Sequence, residues 1–332
     1  MQPAEIAEAV ARQAPRSRNT RLLVAAKVVI SFGLLFALFH YADMSRVVRR
    51  LAKADVLILF LSFLLLIAQG VISSFKWRLI LRSDGLAVPF WTLFRVNATG
   101  SFVSLFLPSS FGGDIYRVAA LRTVAGGLVR SGASVVFDRG SGLFALVTIS
   151  AISYQFYPHA RHGWIVIFGW VLAILLFVAA TSRPVLESGF WPSWPVAQHF
   201  RSFLSTLRNY RNSGGVFARV AALSLVFQLI MVVVNKLYAE ALGIEIAFST
   251  LLVIIPLIYL TEAIPLGING IGIRDSAFVI AFAAIGRSAE QALAMSLLLI
   301  SMRYLYGFSC GLCVLMAYFI RRHWPHRKTA GP

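Results

Sequence analysis

Charge is scarce in this chain. Only 13% of its 332 residues are Asp, Glu, Lys or Arg, against about 25% in a soluble domain, and just 13 are acidic. That shortage excludes an ordinary soluble domain. Cysteine is nearly absent: Cys310 and Cys313 stand one helical turn apart inside an apolar run. A structural zinc site takes about four ligands, none of which accompany them, so they read as packing residues. The six histidines, at 40, 159, 162, 199, 323 and 326, fall at the ends of apolar runs or between them. There is no His-Glu-x-x-His, Walker loop, dinucleotide fingerprint or Gly-x-Ser-x-Gly elbow. Gly112-Gly113 is no phosphate loop either, since no Lys-Ser/Thr follows. The expectation is a protein that is not an enzyme, uses no cofactor and binds no metal.

What is present is apolar length. Hydrophobic residues make up 58% of the chain, and about 20 mostly apolar residues suffice to cross a bilayer. The clearest runs are Leu22–Phe39, Val56–Ser74, Gly142–Tyr154, Trp164–Ala180, Val220–Val234, Leu251–Ile264 and Ala292–Ile320. The first follows Arg12, Arg16, Arg18 and Arg21 and ends in His40-Tyr41-Ala42-Asp43 without an Ala-x-Ala cleavage signal, so it reads as an uncleaved helix. The formal charge of +18 comes from 31 Lys and Arg scattered among hydrophobic segments. Scattered basic residues point to anionic phospholipid rather than nucleic acid.

Basic residues also set topology, because cytoplasmic loops are enriched in Lys and Arg. The N-terminal basic residues and Arg321, Arg322, Arg327 and Lys328 place both ends in the cytoplasm. Lys76, Arg78 and Arg82 form one inside cluster and Arg117, Arg122 and Arg130 the next, with a single apolar stretch near residues 90–107 between them. One span cannot begin and end on the same side. The segment therefore reads as a re-entrant hairpin from the cytoplasm, turning at Pro108-Ser109-Ser110-Phe111-Gly112-Gly113. The same logic makes residues 246–289 a second hairpin, entering from the opposite face and turning at Pro265-Leu266-Gly267-Ile268-Asn269-Gly270. Residues 43–55 carry Arg46, Arg49, Arg50 and Lys53 on the outside and are expected to lie on the membrane as a surface helix. The expected fold is an all-α membrane protein, a polytopic helical bundle of about six spanning helices plus two oppositely oriented re-entrant hairpins, inverted-repeat-like. Residues 1–21 and 321–332 are cytoplasmic tails and 22–320 a single transmembrane domain.

The two turns echo each other. Pro108-Ser-Ser-Phe-Gly112-Gly113-Asp-Ile-Tyr-Arg117 and Pro265-Leu-Gly-Ile-Asn269-Gly270-Ile-Gly-Ile-Arg274 share Pro-x3-(Gly/Asn)-Gly-x3-Arg. Proline lacks an amide donor and breaks a helix; glycine tolerates positive φ and a tight turn. Paired Gly/Pro interruptions in corresponding halves point to a transporter binding site. An isolated charge at the bilayer centre costs about 2.5–3.5 kcal/mol on insertion scales, so ionisable residues at that depth are functional candidates. Here they are Asp114, Arg117, Asp138 and Arg139 in the first half and Glu262, Arg274, Asp275 and Arg303 in the second. Lys236 and Glu240, at i and i+4, read instead as a structural ion pair. Arg117 and Arg274 each follow a turn whose open amides favour an anion, and guanidinium is the preferred bidentate partner of phosphate.

The stretch from Asn97 to Arg122, together with Val135-Val-Phe-Asp-Arg-Gly-Ser-Gly142 and Pro265-Leu-Gly-Ile-Asn-Gly-Ile-Gly-Ile-Arg-Asp275, resembles the lysylphosphatidylglycerol synthase transmembrane region family of flippase-like proteins. Where that family usually has Arg-Glu, this chain has Arg274-Asp275. The resemblance implies a bundle that translocates or handles a lipid with a polar head group. It extends to the membrane half of aminoacyl-phosphatidylglycerol synthases, a module attached to some archaeal glycosyltransferases and a hopanoid-associated protein. No soluble aminoacyl-transferase domain accompanies the bundle here, so the synthase activity is not expected to carry over. The expected function is that of a bacterial inner-membrane lipid translocase or lipid-handling protein for an anionic head group. The alternatives are a secondary transporter of a small soluble anion and a non-catalytic partner of a glycosyltransferase or hopanoid pathway. Its partners would be phospholipid or another polar lipid and, in the last case, a lipid-modifying enzyme. The candidate binding residues are Asn97, Pro108, Gly112, Gly113, Asp114, Arg117, Asp138, Arg139, Glu262, Pro265, Asn269, Gly270, Arg274, Asp275 and Arg303.

Overall fold

The computed structural model describes residues 33–34, 36, 40, 42–107, 111–155, 163–188, 195–262 and 270–323. Most of the first expected span, and Pro108, Pro265 and Asn269, lie outside the described residues. Every regular element among the described residues is α-helical: α1 Met44–Ala52, α2 Val56–Ser83, α3 Phe90–Ser104, α4 Gly112–Leu121, α5 Leu128–Gln155, α6 Gly163–Ala180, α7 Arg183–Glu187, α8 Pro195–Asn212, α9 Gly214–Ala241, α10 Phe248–Thr261, α11 Ile273–Ala284 and α12 Ala289–His323. α2, α5, α9 and α12 are long and apolar enough to cross a membrane. The protein is an all-α, multi-pass membrane protein.

A repeat is visible in helix lengths. The first half runs α2, α3, α4, α5 with 28, 15, 10 and 28 residues. The second runs α9, α10, α11, α12 with 28, 14, 12 and 35. At about 1.5 Å rise per residue, the short helices reach roughly 15–23 Å and fall below the ~30 Å hydrocarbon thickness. Those lengths suit half-depth hairpins.

The corners repeat as well. α2 ends with Leu86 N–H donating to the Leu81 carbonyl at 3.0 Å, and α9 with Ile244 N–H donating to Ala239 at 2.8 Å. Gly85 and Gly243 occupy the left-handed position between them, at φ 77° and 63°. α4 and α11 close the same way: Gly127 donates to Arg122 past Gly126, and Arg287 to Phe282 past Gly286. This cap satisfies last-turn carbonyls and needs positive φ at one residue, which glycine adopts without a Cβ penalty.

Packing exchanges the halves. α2 lies against α9, α3 of the first hairpin against α12, and α10 of the second hairpin against α5. Each hairpin therefore rests on the last long helix of the opposite half. Small residues and polar side chains hold these contacts, as expected where lipid supplies no hydrophobic drive between helices. Gly307 and Gly311 on α12 receive Leu105 and Phe102, which would collide with any added Cβ. Gln69 Nε2 donates to the Phe227 carbonyl at 3.0 Å, and Gln228 Nε2 to the Gly142 carbonyl at 3.0 Å. Lipid-facing positions stay apolar: Phe60, Leu64 and Val71 on α2 and Leu312, Met316 and Ile320 on α12 are exposed.

Several boundaries shift from expectation. α5 starts at Leu128, well before the apolar run that begins at Gly142, so Asp138 sits well inside the helix. α1 does form in residues 43–55, N-capped by Asp43. Its Val47 is fully buried in the central core and the helix packs on α12, so its apolar face serves the bundle.

Candidate functional site

Two clusters of ionised side chains lie inside the bundle, one per hairpin. In the first, α4 places Asp114 and Arg117 one turn apart on its buried face, α5 contributes Asp138 and Arg139, and α2 contributes Lys76. Arg117 Nη2 donates to Asp138 Oδ2 at 2.9 Å and its Nη1 to Asp114 Oδ1 at 3.3 Å. The same guanidinium stacks 4.2 Å from the Trp77 ring centroid, whose Nε1 donates to Ser134 Oγ at 3.1 Å. Lys76 Nζ meets Asp138 Oδ1 at 3.1 Å and donates to the Asp138 carbonyl and to Ser224 Oγ. Arg139 grips Asp114 through Nε at 2.7 Å and Nη2 at 3.2 Å. Unlike the others, the Arg139 side chain is 58% exposed.

The close approach of α3 and α4 makes this cluster possible. A Cβ on Gly113 would stand 2.7 Å from the Gly100 carbonyl oxygen, and one on Gly100 would stand 3.1 Å from the Gly113 oxygen. Gly112 and Gly113 belong to the first turn of α4. The sequence suggested that Gly113 serves a positive φ; in the structure it serves contact between two backbones. Gly270, by contrast, does lie at φ 76°, with the Glu262 stem packed against it.

The second cluster is built by α10, α11 and α12. Glu262 follows the last turn of α10 and takes both Arg274 Nη1 at 2.8 Å and Arg303 Nη1 at 3.5 Å on a single oxygen, Oε1. Asp275 accepts the Gly272 amide on Oδ2 at 2.8 Å, an acid in the first turn reaching back to cap its own helix. Its Oδ1 accepts the Ser296 hydroxyl from α12. The Arg274 side chain is 1% exposed, whereas that of Arg303 is 42% exposed.

The clusters face each other. Arg139 lies within electrostatic range of Glu262. Beside the second cluster lies a crevice lined by Ser104 and Leu105 from the first hairpin, Ile271 and Arg274 from the second, and Ile300, Arg303 and Tyr304 from α12. Its volume is about 20 Å³, room for about one water. Each cluster thus pairs a buried, anchored arginine with an exposed one. Arg117 ties α4 to α5 through Asp138, and Arg274 ties α11 to the end of α10 through Glu262, while Arg139 and Arg303 keep much of their side chains exposed.

Of the expected residues, Asp114, Arg117, Asp138 and Arg139 meet in the first cluster, and Glu262, Gly270, Arg274, Asp275 and Arg303 in or beside the second. Gly112 and Gly113 shape the first turn of α4. Asn97 stands apart: its Nδ2 donates to Ser74 Oγ at 3.2 Å and to the Gly70 carbonyl, tying α3 to α2. Lys236 and Glu240 form the expected i, i+4 pair at 3.2 Å, away from both clusters. Lys76 joins the first cluster although the sequence places it only in an inside basic group: its side chain is 6% exposed and binds Asp138. The available signal was that the apolar run continues as Trp77, Leu79, Ile80 and Leu81 beyond it.

A family model described as the lysylphosphatidylglycerol synthase TM region matches residues 24–309. The UPF0104 membrane protein MJ1595 of Methanocaldococcus jannaschii is 22% identical over 298 residues, covering 82% of this chain and 88% of that protein. The matched range spans both hairpins and both charge clusters, and the chain belongs to the lysylphosphatidylglycerol synthase transmembrane region family.

Proposed function

We propose that this protein translocates, or otherwise handles, a membrane lipid with an anionic polar head group, and that the head group is met between the two hairpins. The observation that carries the reading is the facing pair of charge clusters, each presenting one exposed arginine, Arg139 or Arg303, in a bundle whose outer face is apolar. Ionised groups at membrane depth are costly, and a guanidinium held by a carboxylate on one side is poised to take a phosphate on the other. Acyl chains would stay in the bilayer beside the exposed Phe106 and Phe308, which pack edge to face between α3 and α12. The hairpins enter from opposite faces and both termini lie in the cytoplasm of a bacterial inner membrane. The chain acts without catalysis of its own. Family membership supports a role with lipids.

The test is head-group movement in reconstituted vesicles. With fluorescent phosphatidylglycerol and a membrane-impermeant quencher, the wild type exposes label from the inner leaflet faster than protein-free vesicles. Arg139→Gln and Arg303→Gln, compared in folded protein at matched abundance, slow this about tenfold or more, the loss expected from one charged hydrogen bond. Equal rates in wild type and both variants would sink the proposal.

A further inference from the structure

Three polar atoms inside the apolar centre of the bundle have no protein partner. Gln228 Oε1, Asn235 Oδ1 and the Ser150 hydroxyl make no hydrogen bond among the described residues, and these residues are 7%, 0% and 1% exposed. Leaving a buried polar atom dry is unfavourable. Both amides are held in orientation by their nitrogens. Gln228 Nε2 donates to the Gly142 carbonyl at 3.0 Å, and Asn235 Nδ2 donates to the Met231 carbonyl at 2.9 Å and the Tyr259 hydroxyl at 3.3 Å. Turning either amide over would set its oxygen against a carbonyl.

The three atoms share one junction, where α5, α9 and α10 pack on one another. Gln228 and Asn235 lie seven residues apart on one face of α9, two turns and about 10 Å along it, with Met231 between them. α5 runs parallel to α9, since Ser224 Oγ donates to Ser141 Oγ and Gln228 to Gly142. That register brings Ser150 close to the height of Asn235. Ser150 follows Leu146 by one turn on the same face, and Leu146 shares an apolar cluster with Met231 and with Ile254, Ile255 and Ile258 of α10. A charge cluster stands at each end of the junction. Ser224, one turn before Gln228, accepts Lys76 Nζ at 3.2 Å, and Tyr259, bonded to Asn235, stands one turn before Glu262.

Chemistry narrows the ligand. Two of the three atoms are amide oxygens, which only accept, so the ligand must donate hydrogen bonds; an anion does not. In the adjoining first cluster the three cations Lys76, Arg117 and Arg139 face the two carboxylates Asp114 and Asp138, and that excess disfavours a further cation at membrane depth. The neutral donor small enough for a packed core is water, which bonds two to four polar groups at buried sites. We propose that ordered water occupies the junction of α5, α9 and α10, held by Gln228 Oε1 at one end and by Ser150 Oγ and Asn235 Oδ1 at the other. It joins the two charge clusters by a hydrated seam through the bundle. Because the second hairpin leans on α5 here, α10 shifts by exchanging water contacts rather than by stranding polar atoms. The seam stands independently of the lipid reading.

The experiment is X-ray radiolytic footprinting of the full chain in lipid nanodiscs, in which hydroxyl radicals made from bound water oxidise the side chains beside them. Met231, 7% exposed, is expected to form sulfoxide faster than Met302, 6% exposed in the same apolar cluster. Ser150→Ala and Asn235→Leu are each expected to cut Met231 oxidation about fivefold, the occupancy that one net hydrogen bond sustains, and to leave that of the exposed Met316 unchanged. Thermal stability gives a second readout. With a water-held hydroxyl, the melting temperature of Ser150→Ala stays level or falls; with a dry one it rises, because a desolvated group has been removed. Met231 oxidised no faster than Met302 overturns the proposal, and so does a Ser150→Ala protein that melts higher with Met231 labelling unchanged. Where Asn235→Leu fails to fold, wild type and Ser150→Ala decide.

Discussion

Asp138 is the residue on which the first cluster turns. One carboxylate receives Lys76 and Arg117, which come from α2 and α4 and are both buried. Removing one partner of a buried pair costs about 3–5 kcal/mol because it strands the other. Asp138→Asn is therefore expected to lower thermal stability sharply, while Lys76→Gln/Asp138→Asn, which removes one charge of each sign and leaves Arg117 with Asp114, recovers much of the loss. A scan in which the double variant melts no higher than the single would show that the Lys76 pair is not what Asp138 holds in place. Arg139 lies one residue along the same helix and holds Asp114 at 2.7 Å, but its side chain is 58% exposed, so its loss is expected to cost less stability than Asp138→Asn.

At the scale of elements, the hairpins depend on backbone proximity. Gly113→Val places a branched side chain where the Gly100 carbonyl already stands at 2.7 Å from a Cβ position. Overpacking of this kind costs about 1–3 kcal/mol, and here it also tilts α4, which carries Asp114 and Arg117. Gly169 on α6 has nothing within 4 Å of its Cβ position, so Gly169→Val serves as the matched control. Melting temperature and flipping rate are expected to fall for Gly113→Val and to hold for Gly169→Val; equal behaviour would refute the close-approach argument. The same reasoning applies to Gly311, where a Cβ would meet the Phe102 ring. Gly311→Leu is expected to part α3 from α12 and reduce flipping at least as much as Gly113→Val, measured at matched protein abundance.

At the scale of the molecule, two similar halves lock together by exchanging hairpins, and the exchange places two charge clusters opposite each other. The proposed entry of the hairpins from opposite faces makes a labelling prediction. Cysteines introduced at Ser83 and Thr123, in a background free of Cys310 and Cys313, are expected to be protected together from an impermeant thiol reagent outside intact cells, and those at Ser249 and Ser288 to react together. Members of either pair falling on different sides would refute the hairpin topology. The sequence by itself determined the membrane class, the helical fold, the two interruptions and the identity of eight of the nine charged cluster residues. Those follow from local facts: apolar length, broken helices, and the cost of a charge in a run of lipid-compatible residues. Tertiary structure alone decided the rest. Spacing reveals neighbours on one helix, such as Asp114 and Arg117, but Lys76 and Asp138 meet from different helices, and so do Glu262 and Arg303. Whether an arginine is buried and anchored, as Arg117 and Arg274 are, or exposed, as Arg139 and Arg303 are, depends on which helices cover it. That covering is set by long-range packing at Gly100, Gly113, Gly307 and Gly311, where the absence of a side chain in one helix admits the backbone or side chain of another.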